Sequence, residues 1–123
     1  YSLLLITYDS NMKLQFPEGF IWGTSTAAYQ IETASENNWK GLKCKDGTTF
    51  DQCSQHDLHR DEDLEYICQI SNGYRMSHDW AKLQKAPFAE FDQKEVDAYL
   101  RFMEELKRRG KHIMLVLHHF TNP

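Results

Sequence analysis

The amino-acid sequence predicts an α/β protein built on parallel strands. Three observations carry this expectation. Segments of strand character alternate with segments of helical period along the 123 residues. Val96, Tyr99, Leu100, Met103 and Leu106 recur at the spacing of one helix face. Immediately after them, Ile113 to Leu117 is continuously apolar, as expected of a strand covered on both faces.

The elements follow in order. Phe16-Pro17-Glu18-Gly19-Phe20 reads as a turn leading into a strand at about 20–24, where Ile21 and Trp22 give way to small residues. From Thr33 to Arg60 the periodicity is lost, and a loop of that length in a compact domain is read as a functional or lid-like excursion. Asp61, Glu62 and Asp63 then open a helix, because negative charge is favoured at the positive end of the helix dipole. Leu64, Ile67 and Cys68 share its apolar face, and Asn72-Gly73 is read as its stop. A second strand is expected from Tyr74 to Trp80. The next helix is expected to open on a capping box of Asp92 and Glu95, and to close on Lys107, Arg108, Arg109 and a left-handed Gly110. Strand–helix–strand order implies parallel pairing through right-handed crossovers. The pattern alone leaves an open doubly wound sheet and part of a barrel as alternatives.

Composition narrows the function. Fourteen Lys and Arg against 18 Asp and Glu leave a net charge of −4, which gives no general electrostatic reason to hold nucleic acid or an anionic membrane. The longest apolar runs, Leu3 to Ile6 and Ile113 to Leu117, are far short of the roughly 20 residues of a membrane span. The opening Tyr-Ser-Leu-Leu-Leu-Ile-Thr lacks the basic part of a secretory signal, so a cytoplasmic location is expected. Met12 reads as a natural beginning, with residues 1–11 an extension outside the fold and 12–123 the folded portion. Three cysteines, an odd and sparse count, suit free thiols in a reducing compartment better than a disulfide framework. No oligomeric state is expected from these features.

Ligands of parallel α/β folds sit at the C-terminal ends of the strands. Gln30, Asp79 with Trp80, and His118 with His119 fall near such ends. The Gln30 amide can both donate to and accept from vicinal hydroxyls. His119 with Phe120 can pair a hydroxyl-binding imidazole with an apolar ring. Arg75, inside an apolar strand, needs a carboxylate or several acceptors facing it. Glu32 is read as a structural ion-pair partner rather than a catalytic acid. Cys53, His56 and His59 have metal-ligand residue types at short spacing, but no fourth ligand completes a zinc set. No metal is therefore expected. No Gly-rich phosphate loop follows any strand, and no cofactor is expected.

Three motifs in order then carry a resemblance. Phe16-Pro17-Glu18-Gly19 and the segment Phe20 to Glu32 closely resemble the N-terminal signature of family 1 glycoside hydrolases, the β-glucosidase and β-galactosidase family. Tyr74 to Trp80 is similar to its second-strand motif, and Leu117 to Pro123 looks like the end of its third strand. Departures include His78 at a usually apolar position, Asp79 where Ser or Glu is common, Lys85 in place of a common Pro, and the loop from Lys40 to Cys53.

The resemblance implies the N-terminal part, about three βα units, of a (β/α)₈ barrel. A whole barrel takes roughly 250 residues and cannot fit here. It implies a retaining β-glycosidase acting on terminal β-linked glucosides, galactosides or oligosaccharides. Gln30 and His119 would bind sugar hydroxyls, Phe120 would line the sugar subsite, and Arg75 would support the nucleophilic carboxylate. Glu32 and Trp80 would be architectural. The family's two catalytic glutamates lie in Asn-Glu and Glu-Asn-Gly contexts, and neither context occurs among these residues. The chain is thus expected to be a fragment that carries part of the sugar site and is inactive alone. The alternative is a non-catalytic sugar-binding or regulatory remnant of the same fold.

Overall fold

A computed structural model describes residues 15–50 and 53–123; the expected extension at 1–11 lies outside them. Seven elements follow in order: β1 (Gly23–Ser25), α1 (Ala28–Ile31), α2 (Arg60–Ile70), β2 (Gly73–Ser77), α3 (Trp80–Leu83), α4 (Gln93–Arg108) and β3 (His112–Val116). The strands form one parallel sheet in the order β1-β2-β3. The expected parallel alternation is what the chain adopts.

Alternation along β2 divides the sheet into two faces. Tyr74 and Met76 point outward and pack with Leu64 and Ile67 of α2, Leu83 of α3, and Tyr99, Phe102 and Leu106 of α4. Gly73, Arg75 and Ser77 therefore point to the inner face. The register sets Ser25, Arg75 and Met114 in one row across the three strands. Leu106 is fully buried. Side chains of this kind stabilise by roughly 1.5–3 kcal/mol each on burial, which is why the core sits between the sheet and the two long helices.

Several expectations are corrected. β1 begins at Gly23, not near residue 20, because Trp22 is paired instead through Asn72, whose Oδ1 accepts from Trp22 N (2.6 Å) and whose N–H donates to Trp22 O (3.0 Å). Asn72-Gly73 does not cap α2. The helix ends at an extended Ser71, and Gly73 is already the first residue of β2. A Cβ on Gly73 would lie 2.5 Å from Ile21 Cγ2, so a close approach rather than a turn calls for glycine there. β2 stops at Ser77, because the Asp79 carboxylate accepts from Ala81 N (3.1 Å) and caps α3, which Trp80 opens.

The capping box is only half formed. Asp92 accepts from Glu95 N, while its own N–H donates to Leu83 O (2.7 Å). At the other end Gly110 has φ +72 and closes the helix as expected. Leu100 is exposed, and Phe102 fills the core instead. β3 is not covered on both faces: Met114, on the inner face, is 63% exposed, and among the described residues nothing packs over it.

Candidate functional site

Gln30 reaches the rim of the sheet on α1, a helix of four residues. Ser77 Oγ accepts from Ala28 N (2.9 Å), which hangs the start of α1 on the end of β2. At its other end Ile31 O accepts from His56 N (2.8 Å) and Ser54 Oγ (3.0 Å). The Gln30 side chain is left exposed, beside buried Tyr29. Both line a cavity of ≈ 260 Å³ with Trp39, Phe50 and Phe120.

Phe120 arrives from the segment after β3. Its φ of 55 is unusual for an aromatic residue, and the Trp39 indole N–H donating to its carbonyl (3.0 Å) helps hold it there. The rings of Trp39 and Phe120 meet edge to face at 5.4 Å, and Tyr29 meets Phe120 at 6.1 Å. Asn38 N–H donates to Asn122 O, and Asn122 N–H to Asn38 Oδ1, which ties the long loop to the same segment. His119 lies beside Phe120, with ring centroids 4.9 Å apart. Its Nδ1 is buried with no hydrogen-bond partner among the described residues. His118 turns the other way, against Trp80 (5.7 Å) and Asn122 Oδ1 (3.0 Å).

Three of the expected residues, Gln30, His119 and Phe120, thus come together at one rim. Arg75 does not join them in that cavity. It lines a separate hollow of ≈ 540 Å³ on the sheet with Ser25, Gly73, His112 and Met114. Of the carboxylate or several acceptors expected to face it, the hydrogen bond seen among the described residues is the one Arg75 donates to Ser25 Oγ (3.1 Å), and the side chain is half-buried on the inner face. The guanidinium is only half-buried there, so a buried counter-ion is not required.

A charged cluster lies directly behind α1. The Glu32 carboxylate is 1% exposed. It accepts from Tyr99 OH (2.8 and 2.9 Å) and from Lys82 Nζ (3.0 Å), with Arg60 Nη2 at 3.6 Å. Lys82 also donates to Asp57 (2.9 Å) and to Thr33 Oγ1 (3.3 Å). Burial pushes the Asp57 carboxyl up, but the Thr33 hydroxyl, the Lys82 ammonium and the Thr33 N–H outweigh it and hold it at about 2. Burial pulls Lys82 down, yet Glu32 and Asp57 beside it keep its pKa above the ordinary lysine value. Burial, reinforced by the Glu32 charge, drives the Tyr99 phenol well up, so it stays a neutral donor. Glu32 forms the ion pair expected of it, with Lys82.

His56 is turned onto Asp63 (Nδ1 to Oδ2, 2.6 Å), and His59 faces Glu62. Among the described residues no group of three or more His, Cys, Asp or Glu side chains is placed to hold a metal. Among the described residues none of the three cysteines forms a disulfide. No described helix is long and apolar enough to cross a membrane. Sequence reasoning missed the aromatic walls Trp39 and Phe50, which arrive from an irregular loop, and the partners of Glu32. A signal for the partners was available: a carboxylate that directly follows the apolar Ile31 needs a cation and a donor if it is buried.

A parallel sheet with its helices on one side, and an amide, an imidazole and aromatic rings gathered where its strands end, is the first part of a (β/α)₈ barrel. A family model described as Glycosyl hydrolase family 1 matches residues 12–123, and the chain belongs to that family. It is 32% identical to β-glucosidase A of Acetivibrio thermocellus, over 90% of this chain and 28% of that protein. It is 31% identical to a 6-phospho-β-galactosidase of Staphylococcus epidermidis, over 91% of this chain and 26% of that one. The structure of the family 1 β-glucosidase from Thermotoga maritima superposes with a TM-score of 0.80 at 31% identity, covering 88% of this chain and 27% of that one. The chain therefore spans about a quarter of the length of the relatives it matches.

Proposed function

We propose that this chain supplies the sugar-holding rim of a retaining β-glycosidase acting on terminal β-linked glucosides or galactosides. Gln30 exchanges hydrogen bonds with neighbouring hydroxyls of the sugar, His119 offers its imidazole to another, and Phe120 offers an apolar face to the pyranose. The observation that carries the reading is their convergence: Gln30 and Phe120 share one cavity, and the adjoining His119 keeps a buried nitrogen without a partner. The names of the relatives, β-glucosidase and 6-phospho-β-galactosidase, agree with a β-glycoside substrate.

Hydrolysis with retention takes two carboxyl groups about 5–5.5 Å apart, one protonating the leaving oxygen and one attacking the anomeric carbon. Glu32 cannot serve, because it is buried and bound to Lys82 and Tyr99. The reacting pair belongs to the part of the barrel that follows the third strand. Arg75, on the inner face with Ser25 Oγ as its hydrogen-bond partner among the described residues, holds the attacking carboxylate in place and ionised.

The test is a chimera that joins residues 12–123 to the part of the Thermotoga maritima enzyme beyond its matched segment. Hydrolysis of 4-nitrophenyl β-D-glucoside is expected from the chimera and not from this chain alone. Gln30→Ala should lower kcat/KM of the chimera by about 10- to 100-fold, as for one or two lost hydrogen bonds. A folded chimera without turnover, or sustained turnover by this chain alone, overturns the reading.

A further inference from the structure

The short helix that presents Gln30 cannot hold itself. Four residues are too few for an independent helix, and α1 has no side-chain N-cap. Its orientation therefore depends on what anchors it from outside. Ser77 holds its start, and Ser54 and His56 hold the Ile31 carbonyl. Glu32, the residue that ends it, is bound in the charged cluster by Lys82 and Tyr99.

That cluster joins the end of α1 to α3, α4 and the long loop. Lys82 comes from α3, Tyr99 from α4 and Asp57 from the long loop. Tyr99 OH also accepts from Asp79 N (3.1 Å), and the Asp79 carboxylate accepts from Ser35 Oγ (2.5 Å). The ammonium of Lys82 uses its three donors on Glu32, Asp57 and Thr33, so one side chain fixes both the end of α1 and the base of the loop that carries Trp39 and Phe50. Glu32 lies two residues beyond Gln30, yet is itself too buried to touch a ligand.

We propose that Glu32 and Lys82 are positioning residues for the sugar-binding amide of Gln30, their buried contact setting the direction of α1 at the rim. This rests on the reading of Gln30 as a sugar-holding group. Their role is distinct from general stability, which comes from the apolar contacts of α2 and α4 with the outer face of the sheet.

The experiment is amide hydrogen exchange on this chain, read at Gln30 and at Phe102 and Leu106 of α4. The double variant Glu32→Gln/Lys82→Met removes both charges of the Glu32–Lys82 pair together and leaves Asp57 its hydrogen bonds from Thr33. It should speed exchange at Gln30 by about tenfold or more while the α4 amides change by less than about twofold. Lys82→Arg, which keeps the charge, should bring Gln30 back to within about threefold of the parent chain. The single change Glu32→Gln serves should the double variant not fold. Unchanged protection at Gln30 would mean that Ser77, Ser54 and His56 suffice, and would overturn the proposal. So would a parallel rise in the α4 amides, which would make the pair a matter of stability alone. In the chimera, Lys82→Met should raise KM for the aryl glucoside more than it lowers kcat, and an unchanged KM counts against the proposal. A chimera without turnover, beside a clear response of Gln30 exchange, would sink the sugar reading and leave the positioning pair standing.

Discussion

The two faces of the sheet are built to opposite ends. On the outer face Tyr74 and Met76 are buried under α2 and α4, and the contacts converge on Leu106. On the inner face Arg75 and Met114 stand in one row with Ser25, and Met114 is largely exposed. Strand residues one apart along β2 thus meet wholly different surroundings. The lesson is a division of labour. The outer face supplies the apolar burial that holds three strands and two helices together. The inner face and the rim keep polar groups without committing them to structure. Among the described residues Arg75 hydrogen-bonds to Ser25 Oγ, and His119 Nδ1 has no hydrogen-bond partner.

The strongest way to test this division is to attack the outer face. Leu106→Ala removes a fully buried side chain from the centre of the core. It should lower unfolding free energy by about 2–5 kcal/mol, the range for a leucine cavity, or unfold the chain outright. Urea denaturation followed by circular dichroism measures it. A loss below about 1 kcal/mol would show that the packing of α4 on β2 is not what holds the fold.

What could be read in the sequence follows the same division. The outer core was legible because its signals are local. The 3.6-residue recurrence of Val96, Tyr99, Met103 and Leu106 needs no knowledge of a partner, and neither do the caps Asp92 and Gly110. Leu100 was misassigned for the same reason: it lies at the edge of the apolar stripe, and only the real position of the sheet decides that Phe102 is chosen instead. The exposure of β3 was not legible, because a continuous apolar run reports what a strand is suited to pack against, not what is present beside it. At the rim, Gln30, His119 and Phe120 emerged through the likeness of three motifs rather than through periodicity. Lys82 went unnoticed because it pairs with Glu32 across 50 residues of sequence, and no local pattern encodes such a contact. Trp39 and Phe50 were hidden for a similar reason, in a loop whose path is set by Asn122 and Phe120 far along the chain.

A smaller effect separates the rim from both faces. Asp57 titrates at about 2 in the folded chain, below its ordinary value of 3.8. A group with a depressed folded pKa adds stability that is fully present above the unfolded value and disappears as pH falls through the folded one. The Asp57 contribution should therefore fade between about pH 3.8 and about pH 2. Asp57→Asn should flatten the pH dependence of stability within that window and leave its shape at pH 5–7 unchanged, roughly as linkage requires. Urea midpoints at half-unit pH steps would show it. An identical slope in variant and parent would mean that the Thr33 and Lys82 contacts do not act on Asp57 in solution.

The smallest effect is expected on the inner face, and it sharpens the comparison most. Met114 is 63% exposed, so Met114→Thr removes little packing and should change the stability of this chain by less than about 0.5 kcal/mol, as for ordinary surface changes. The same substitution behaves differently if the inner face is covered. In a closed barrel the inward side chains of the strands stack in layers and fill the interior. The chimera with the remainder of the Thermotoga maritima enzyme should therefore lose about 1–3 kcal/mol from Met114→Thr, since a thioether would then leave a packed site and a hydroxyl would enter it. Thermal midpoints of chain and chimera, each with and without the change, separate the cases. Equal, negligible effects in both would show that the row Ser25–Arg75–Met114 faces solvent even when the other strands are supplied. The assignment of that row to the barrel interior would then fail.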